Sequence, residues 1–168
     1  MATPLHVSHD YPFSPERFIA VYFDRGFTAW LDQHLDVSMS VDVLEDKPTT
    51  ILRTVRTVPN MDLPAFARAI FGGKKGFSYL ETATHTKGTR SIAWSILPSV
   101  IPDKFSMTGV TRIEPLGDGG CRRIVDASLE IKVFAIGPRL EETVVKSVSD
   151  SYTKGHSLMV DYEKATRR

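Results

Sequence analysis

Five histidines, one cysteine and a scatter of carboxylates are the side chains of this sequence able to do chemistry. His6 and His9 stand three apart on a segment of strand pattern, so they point to opposite faces of it. His34, His85 and His156 fall on separate elements. No pair has the i, i+4 spacing with a neighbouring carboxylate that a zinc protease uses, so no metal site is expected. The histidines read as surface or boundary residues. No G-x-S-x-G elbow offers a serine nucleophile. Cys121 follows a glycine turn and precedes Arg122 and Arg123, charges able to lower its pKa. The plainer reading is a partly exposed strand residue. Gly117-Asp118-Gly119-Gly120 lies between two strand patterns, so it is a hairpin and not a dinucleotide fingerprint. No catalytic residue and no cofactor is expected.

Glu81 is in register with Phe77 and Tyr79, so all three share one face of a strand. On a concave inner face it is a polar anchor or a general base beside a cavity. Alternatively that face meets solvent and Leu80 points inward. Arg53, Arg56 and Arg90 are candidates to complement it. Glu141 has the same ambiguity, and pairing with the dipole of the last helix is its simpler explanation.

Tyr22, Phe66, Phe71, Tyr79, Trp94, Met107, Tyr152 and Met159 fall on apolar faces. A plain core position is the simpler reading of any one of them. Together they have the apolar, aromatic character of a ligand pocket, with a few polar groups and adaptable methionines. The candidate ligand-binding set is Tyr22, Phe66, Ile70, Phe71, Tyr79, Glu81, Trp94, Ile96, Met107, Leu140, Val144, Val148 and Tyr152.

These residues need elements to hold them. A short strand is expected around His6 to His9. Two-residue alternation then marks strands over Ser38 to Glu45, Thr49 to Val58, Phe77 to Thr86, Arg90 to Leu97 and Lys104 to Glu114. Arg53 and Arg56 interrupt the second of these. Val125, Ala127, Leu129, Ile131 and Val133 form the apolar face of a last strand with one wet side. Ser14 and Pro15 are N-cap and first-turn signals of a helix that Gly26 ends or bends. A second short helix covers Phe27 to His34, and a third Leu63 to Phe71, stopped by Gly72-Gly73. The longest helix starts at Gly137-Pro138. Its stripe of Leu140, Val144, Val148, Tyr152, Met159 and Tyr162 is broken only near Gly155. Antiparallel strands with helices segregated at the ends give an α+β domain.

Composition bounds the function without naming it. The chain has 168 residues, 42% hydrophobic and 24% charged, with a net charge of +1. A single domain of about that size buries enough surface to need no disulfide or metal. So slight a charge argues against a nucleic-acid backbone binder. The longest apolar run, Phe18 to Phe23, is far short of a membrane span, and no targeting signal is present, so a cytoplasmic protein is expected.

Several stretches carry a family likeness: Tyr11-Pro12, Asp62-Leu63-Pro64-Ala65-Phe66 and Phe77-Ser78-Tyr79-Leu80-Glu81. Gly109 to Pro115, Gly119 to Arg123, and Lys132 to Gly137 with Leu140-Glu141 continue it. With the element order, the chain resembles the START-like superfamily, the SRPBCC or helix-grip fold, from His6 to about Ala165. It more closely resembles an uncharacterised bacterial branch known only as a domain of unknown function. Its second half is similar in layout to the VASt sterol-transfer domains. The resemblance implies a curved antiparallel sheet of six or seven strands around the long C-terminal helix, with two short helices after strand 1. It also implies a hydrophobic cavity between sheet and helix, used most often for lipids, sterols or other apolar molecules. Some branches are cyclases, hydrolases or oxygenase subunits.

The expectation is one domain over 1–168, a monomeric, non-enzymatic carrier of a lipid or sterol. Val58 to Gly76, with Phe66, Ile70, Phe71, Arg68, Lys74 and Lys75, and the Leu97 to Pro102 loop suit transient contact with an anionic membrane surface. One alternative is a cyclase, dehydratase or hydrolase using Glu81, His85 or Arg56. The other is a partner-binding module with a filled interior.

Overall fold

Alternation between apolar and polar residues builds a seven-stranded antiparallel sheet, seen in a computed structural model that describes residues 2–60, 64–70 and 77–167. The strands are β1 (Thr3–Tyr11), β2 (Val37–Asp46), β3 (Thr50–Pro59), β4 (Tyr79–Thr86), β5 (Ser91–Pro98), β6 (Phe105–Pro115) and β7 (Cys121–Ile131). Their order is β1-β7-β6-β5-β4-β3-β2, so the first strand pairs with the last and every other neighbour is the next strand in the chain. Register settles which residues share the inner face. Thr57, Tyr79 and Pro98 are partners in one row, Val55, Glu81, Ile96, Met107 and Leu129 in the next, and Ala83, Trp94, Gly109 and Ala127 in another. A Cβ on Gly109 would stand 2.4 Å from Trp94 Cζ2, so only glycine lets the indole lie across β6. There Trp94 Nε1 donates to Thr111 Oγ1 at 3.2 Å.

Two helices follow β1. Ser14 Oγ accepts from Arg17 N and Pro15 opens α1 (Pro15–Tyr22). Asp24 caps α2 (Arg25–His34), so Gly26 lies inside the second helix instead of ending the first. Between β3 and β4, α3 (Ala65–Arg68) is shorter than the sequence suggests, and its expected ends at Leu63 and Phe71 lie outside the described residues. The long helix α4 (Gly137–Thr166) runs through Gly155 without a break. Among the described residues, no helix is long and apolar enough to cross a membrane.

The two ends of α4 are buried more fully than its middle. At one end Leu140 and Glu141 are buried. Glu141 Oε1 accepts from the Ile131 amide at 2.7 Å and Oε2 from Thr3 Oγ1 at 2.5 Å, so this carboxylate pins the helix to β7 and β1. At the other end Met159, Tyr162 and Glu163 are buried. There Tyr162 donates to Asp24 at 2.7 Å and Arg17 Nε to Glu163 at 2.8 Å. Between them Val144, Val148 and Tyr152 keep accessible surface on the same stripe. The principal backbone contacts of α4 are with β1, β7 and α2. A buried residue such as Leu140 contributes about 1.5–3 kcal/mol through burial, so the ends fasten the helix and the middle adds less.

Two expectations change. His85 is buried, not a surface or boundary residue. Its Nδ1 meets the Ser91 carbonyl at 2.9 Å and its ring lies near Phe23. Cys121 is fully buried, and burial first, then the Asp10 and Glu16 carboxylates, push its thiol up to about 11. The opposing Arg123 charge does not outweigh them, so this is an inert core thiol.

Candidate functional site

The middle of α4 lies over the inner face of the sheet, and polar groups gather there. Arg53 on β3 and Glu81 on β4 point inward, so the solvent-side alternative for Glu81 falls. Arg53 Nη2 donates to Glu81 Oε1 at 2.9 Å, and Tyr22 OH donates to the same oxygen at 3.0 Å. Arg53 Nη1 closes the unit by donating to the Tyr22 carbonyl. The Arg53 guanidinium also stacks over the Tyr22 ring, 4.2 Å from its centroid. Glu81 Oε2 accepts no hydrogen bond from the described residues, and a quarter of the side chain is exposed.

Three tyrosines surround this carboxylate. Tyr79 stands across from Thr57, and burial with the Glu81 charge pushes its hydroxyl up to about 12. Tyr22 and Tyr152 are raised further, first by desolvation and then by Glu81. Both are deeply set, yet both keep accessible surface, as side chains at a cavity wall do. All three phenols are therefore neutral hydrogen-bond groups at physiological pH.

A second arginine reaches the same region from β7. Arg123 is 6% exposed, with its guanidinium 4.8 Å from the Tyr152 ring and 5.4 Å from the Tyr11 ring. Its Nη2 donates to His9 Nδ1 at 2.8 Å and to the Tyr152 carbonyl at 3.3 Å. His9 stacks on His156. Desolvation, then the Arg123 charge, then His156 lower its pKa to about 4, so it stays neutral.

The expected lining separates into groups. Tyr22, Tyr79, Glu81, Ile96, Val144, Val148 and Tyr152 are all half-buried, and Glu81 lies near enough to Tyr22, Tyr79 and Tyr152 to act on their hydroxyls. Trp94, Met107 and Leu140 are shut into the core. Phe66, under the Arg139 guanidinium at 4.1 Å, and Ile70 lie half-buried on the α3 segment. Phe71 lies outside the described residues, as do Lys74 and Lys75. Of the proposed partners of Glu81, Arg56 points outward to Asp42 and Arg90 to Glu16. His85 is two inward positions along the strand, bonded elsewhere. Sequence reasoning missed Arg123 and His9, and it left Arg53 as one name among three. The signal was there: Arg53 is in phase with Ile51 and Val55, and Arg123 with Val125 and Ala127. Among the described residues, no group of three His, Cys, Asp or Glu could hold a metal ion.

Loops at the α3 end of the gap expose apolar side chains. Leu97 is exposed at the end of β5 and Phe134, between β7 and α4, is 98% exposed. The two loops join through the Lys132 amide, which donates to the Lys104 carbonyl at 2.8 Å.

A family model described as "Protein of unknown function (DUF2505)" matches residues 6–162. No curated protein matches the chain. Among solved structures, TTHA0849 from Thermus thermophilus is similar, with a TM-score of 0.69 and 17% identity over 99% of this chain and 100% of that one. The Zhui aromatase/cyclase from Streptomyces sp. R1128 gives 0.67 and 11%, over 100% and 97%. A START superfamily protein from Mycobacterium smegmatis gives 0.60 and 15%, over 97% and 99%. At such identities the likeness is one of fold, the START-like helix grip.

Proposed function

This chain belongs to the DUF2505 family, and from its START-like fold we propose that it holds an apolar small molecule between α4 and β4–β5. One observation carries the reading. Val144, Val148 and Tyr152 on the helix, and Tyr79, Glu81 and Ile96 on the sheet, keep accessible surface while both helix ends are buried more fully. A helix and a sheet that met only to fill a core would bury these positions first. The ligand is lipid-like or sterol-like in body, with Glu81 Oε2 and the Tyr152 hydroxyl as polar contacts, and the protein is its monomeric carrier. Native mass spectrometry of the purified protein should show a bound apolar molecule or uptake from a lipid and sterol panel. Failure across the panel overturns the reading.

The convergence of Glu81, Tyr22, Tyr79 and Tyr152 favours a second reading, a cavity enzyme of the cyclase kind. Glu81 Oε2 would take the α-proton of an enolisable substrate and return it to the oxygen of the cyclised product, with the Tyr152 hydroxyl hydrogen-bonded to the carbonyl oxygen where charge develops. Turnover of a cyclisable substrate bearing an enolisable carbonyl, abolished by Tyr152→Phe with binding retained, would establish it. Binding without turnover leaves the carrier.

For delivery we propose brief docking on an anionic membrane through Leu97 and Phe134, with Lys104 and Lys132 beside them. Phosphatidylserine vesicles should retain the protein at low salt, and Phe134→Asp should lower retention about tenfold or more. Equal retention of that variant removes Phe134 from the contact.

A further inference from the structure

The inner face holds a buried cation with no counter-ion among the described residues. With those residues Arg123 donates only through Nη2, to a neutral histidine and a backbone carbonyl. Its Nε is buried with no partner, and Nη1 makes no hydrogen bond with the described residues. The carboxylates of this region are engaged elsewhere: Asp10 with Arg122 at 2.7 Å and Glu81 with Arg53. No described carboxylate stands within ion-pair distance of Arg123. Taking a guanidinium out of water is costly, and a protein tolerates it where an anion or a ring of hydrogen bonds compensates. Here the surroundings are adapted to a cation and still incomplete. Two tyrosine faces flank it, and the histidine beside it accepts a hydrogen bond instead of adding a second charge. The unfinished side belongs to the gap, since Arg123 stacks on Tyr152 and its field acts on the hydroxyls of both Tyr152 and Tyr22.

We infer that Arg123 is an anion-recognising residue, and that the ligand of the gap is an amphipathic acid whose single carboxylate pairs with this guanidinium. The inference rests on the gap being a ligand site, and it narrows the class. A fatty acid or a carboxylated ring system fits better than a neutral alcohol of the same body. Glu81 does not oppose this, because Arg53 already balances it. The planar fork of arginine also suits a carboxylate, and Nη1, which makes no hydrogen bond with the described residues, is the donor left for it.

Matched pairs separate the acid from its body. Dodecanoate against dodecanol, and 2-naphthoate against 2-naphthalenemethanol, would be measured by displacement of the neutral fluorophore N-phenyl-1-naphthylamine at pH 7.5. The acid of at least one pair should bind about tenfold to a hundredfold tighter than its alcohol, the range for a charge-assisted hydrogen-bonded contact. Arg123→Gln should bring acid and alcohol together, and Arg123→Lys should restore part of the preference. Equal or tighter binding of both alcohols to the native protein overturns the inference and leaves the ligand site standing. Fluorophore binding with no displacement by any of the four also overturns it. No fluorophore binding at all overturns the ligand site itself.

Discussion

Arg53 and Arg123 sit on the same inner face, each 6% exposed, each with a buried Nε that finds no acceptor, each stacked on a tyrosine. They differ in what answers the charge. Arg53 has Glu81 at 2.9 Å, and Tyr22 contributes both a hydroxyl to that carboxylate and a carbonyl to the guanidinium. Arg123 has His9, which carries no charge at neutral pH. The first arginine is therefore part of a closed unit that sets the floor of the gap. The second is an open one, held by the fold but not neutralised by it. Burial of the same side chain thus serves two ends: structure where a carboxylate is built in, recognition where it is left out.

The largest effect should come from opening the closed unit. Glu81→Leu leaves Arg53 buried without an anion, a change that costs about 3–5 kcal/mol when one partner of a buried pair is removed. The quarter of the Glu81 side chain still exposed places the loss toward the lower end. Replacing both partners, Arg53→Met with Glu81→Leu, should return most of that stability, because apolar residues of like volume replace buried ion pairs at little cost. Denaturant unfolding of the two variants beside the native protein decides it. If single and double variants lose the same amount, the unpaired charge is not the cause.

A smaller effect should follow pH through the neutral partner of the open unit. Folding lowers the pKa of His9 from 6.5 to about 4, with desolvation first and Arg123 second among the causes. Between those values the unfolded chain binds a proton that the folded one refuses, so stability rises with pH across the window. The contribution is full above about pH 6.5, declines as pH falls toward 4, and declines no further below. His9 is partly exposed, so screening reduces it to about 1–2 kcal/mol. Unfolding free energies measured from pH 7.5 to 4.5 should slope less in His9→Gln than in the native protein. Parallel slopes would show that His9 does not feel the buried cation.

Element order was readable because local rules agreed. Ser14-Pro15 caps α1, period-two alternation runs cleanly through β6 and β7, and Gly137-Pro138 starts α4. The shared face of Phe77, Tyr79 and Glu81 followed from the same period. Its direction did not, since a face of tyrosines and one glutamate suits core and solvent alike until β3 is laid beside it. The arginines show where pattern stops helping. A charge in an apolar phase breaks the alternation and reads as an interruption, as Arg53 did. Arg123 was passed over because the apolar run was begun two residues later, at Val125. Side-chain partners lie 28 residues apart for Arg53–Glu81 and 114 for Arg123–His9, beyond the reach of local spacing. A charged residue in register with a buried face is the sign that was available.

The sharpest contrast between the arginines needs only one substitution in each unit. Arg123→Met removes a charge that no carboxylate offsets, and it keeps an unbranched apolar stem between the Tyr11 and Tyr152 rings. What is lost is one hydrogen bond to His9, a longer one to the Tyr152 carbonyl, and the ring contacts. What is gained is relief from a desolvated cation whose buried Nε is unmet. These terms nearly cancel, so unfolding should shift by about 1 kcal/mol or less, well below the loss in Glu81→Leu. His9 in this variant should also titrate closer to its ordinary value, because the second of its lowering causes is gone. A stable Arg123→Met protein that no longer prefers acids would mean that the charge is kept for the ligand, at no benefit to the fold. A loss as large as that of Glu81→Leu would mean that both arginines are structural, and that the missing carboxylate is compensated by the rings and His9 alone.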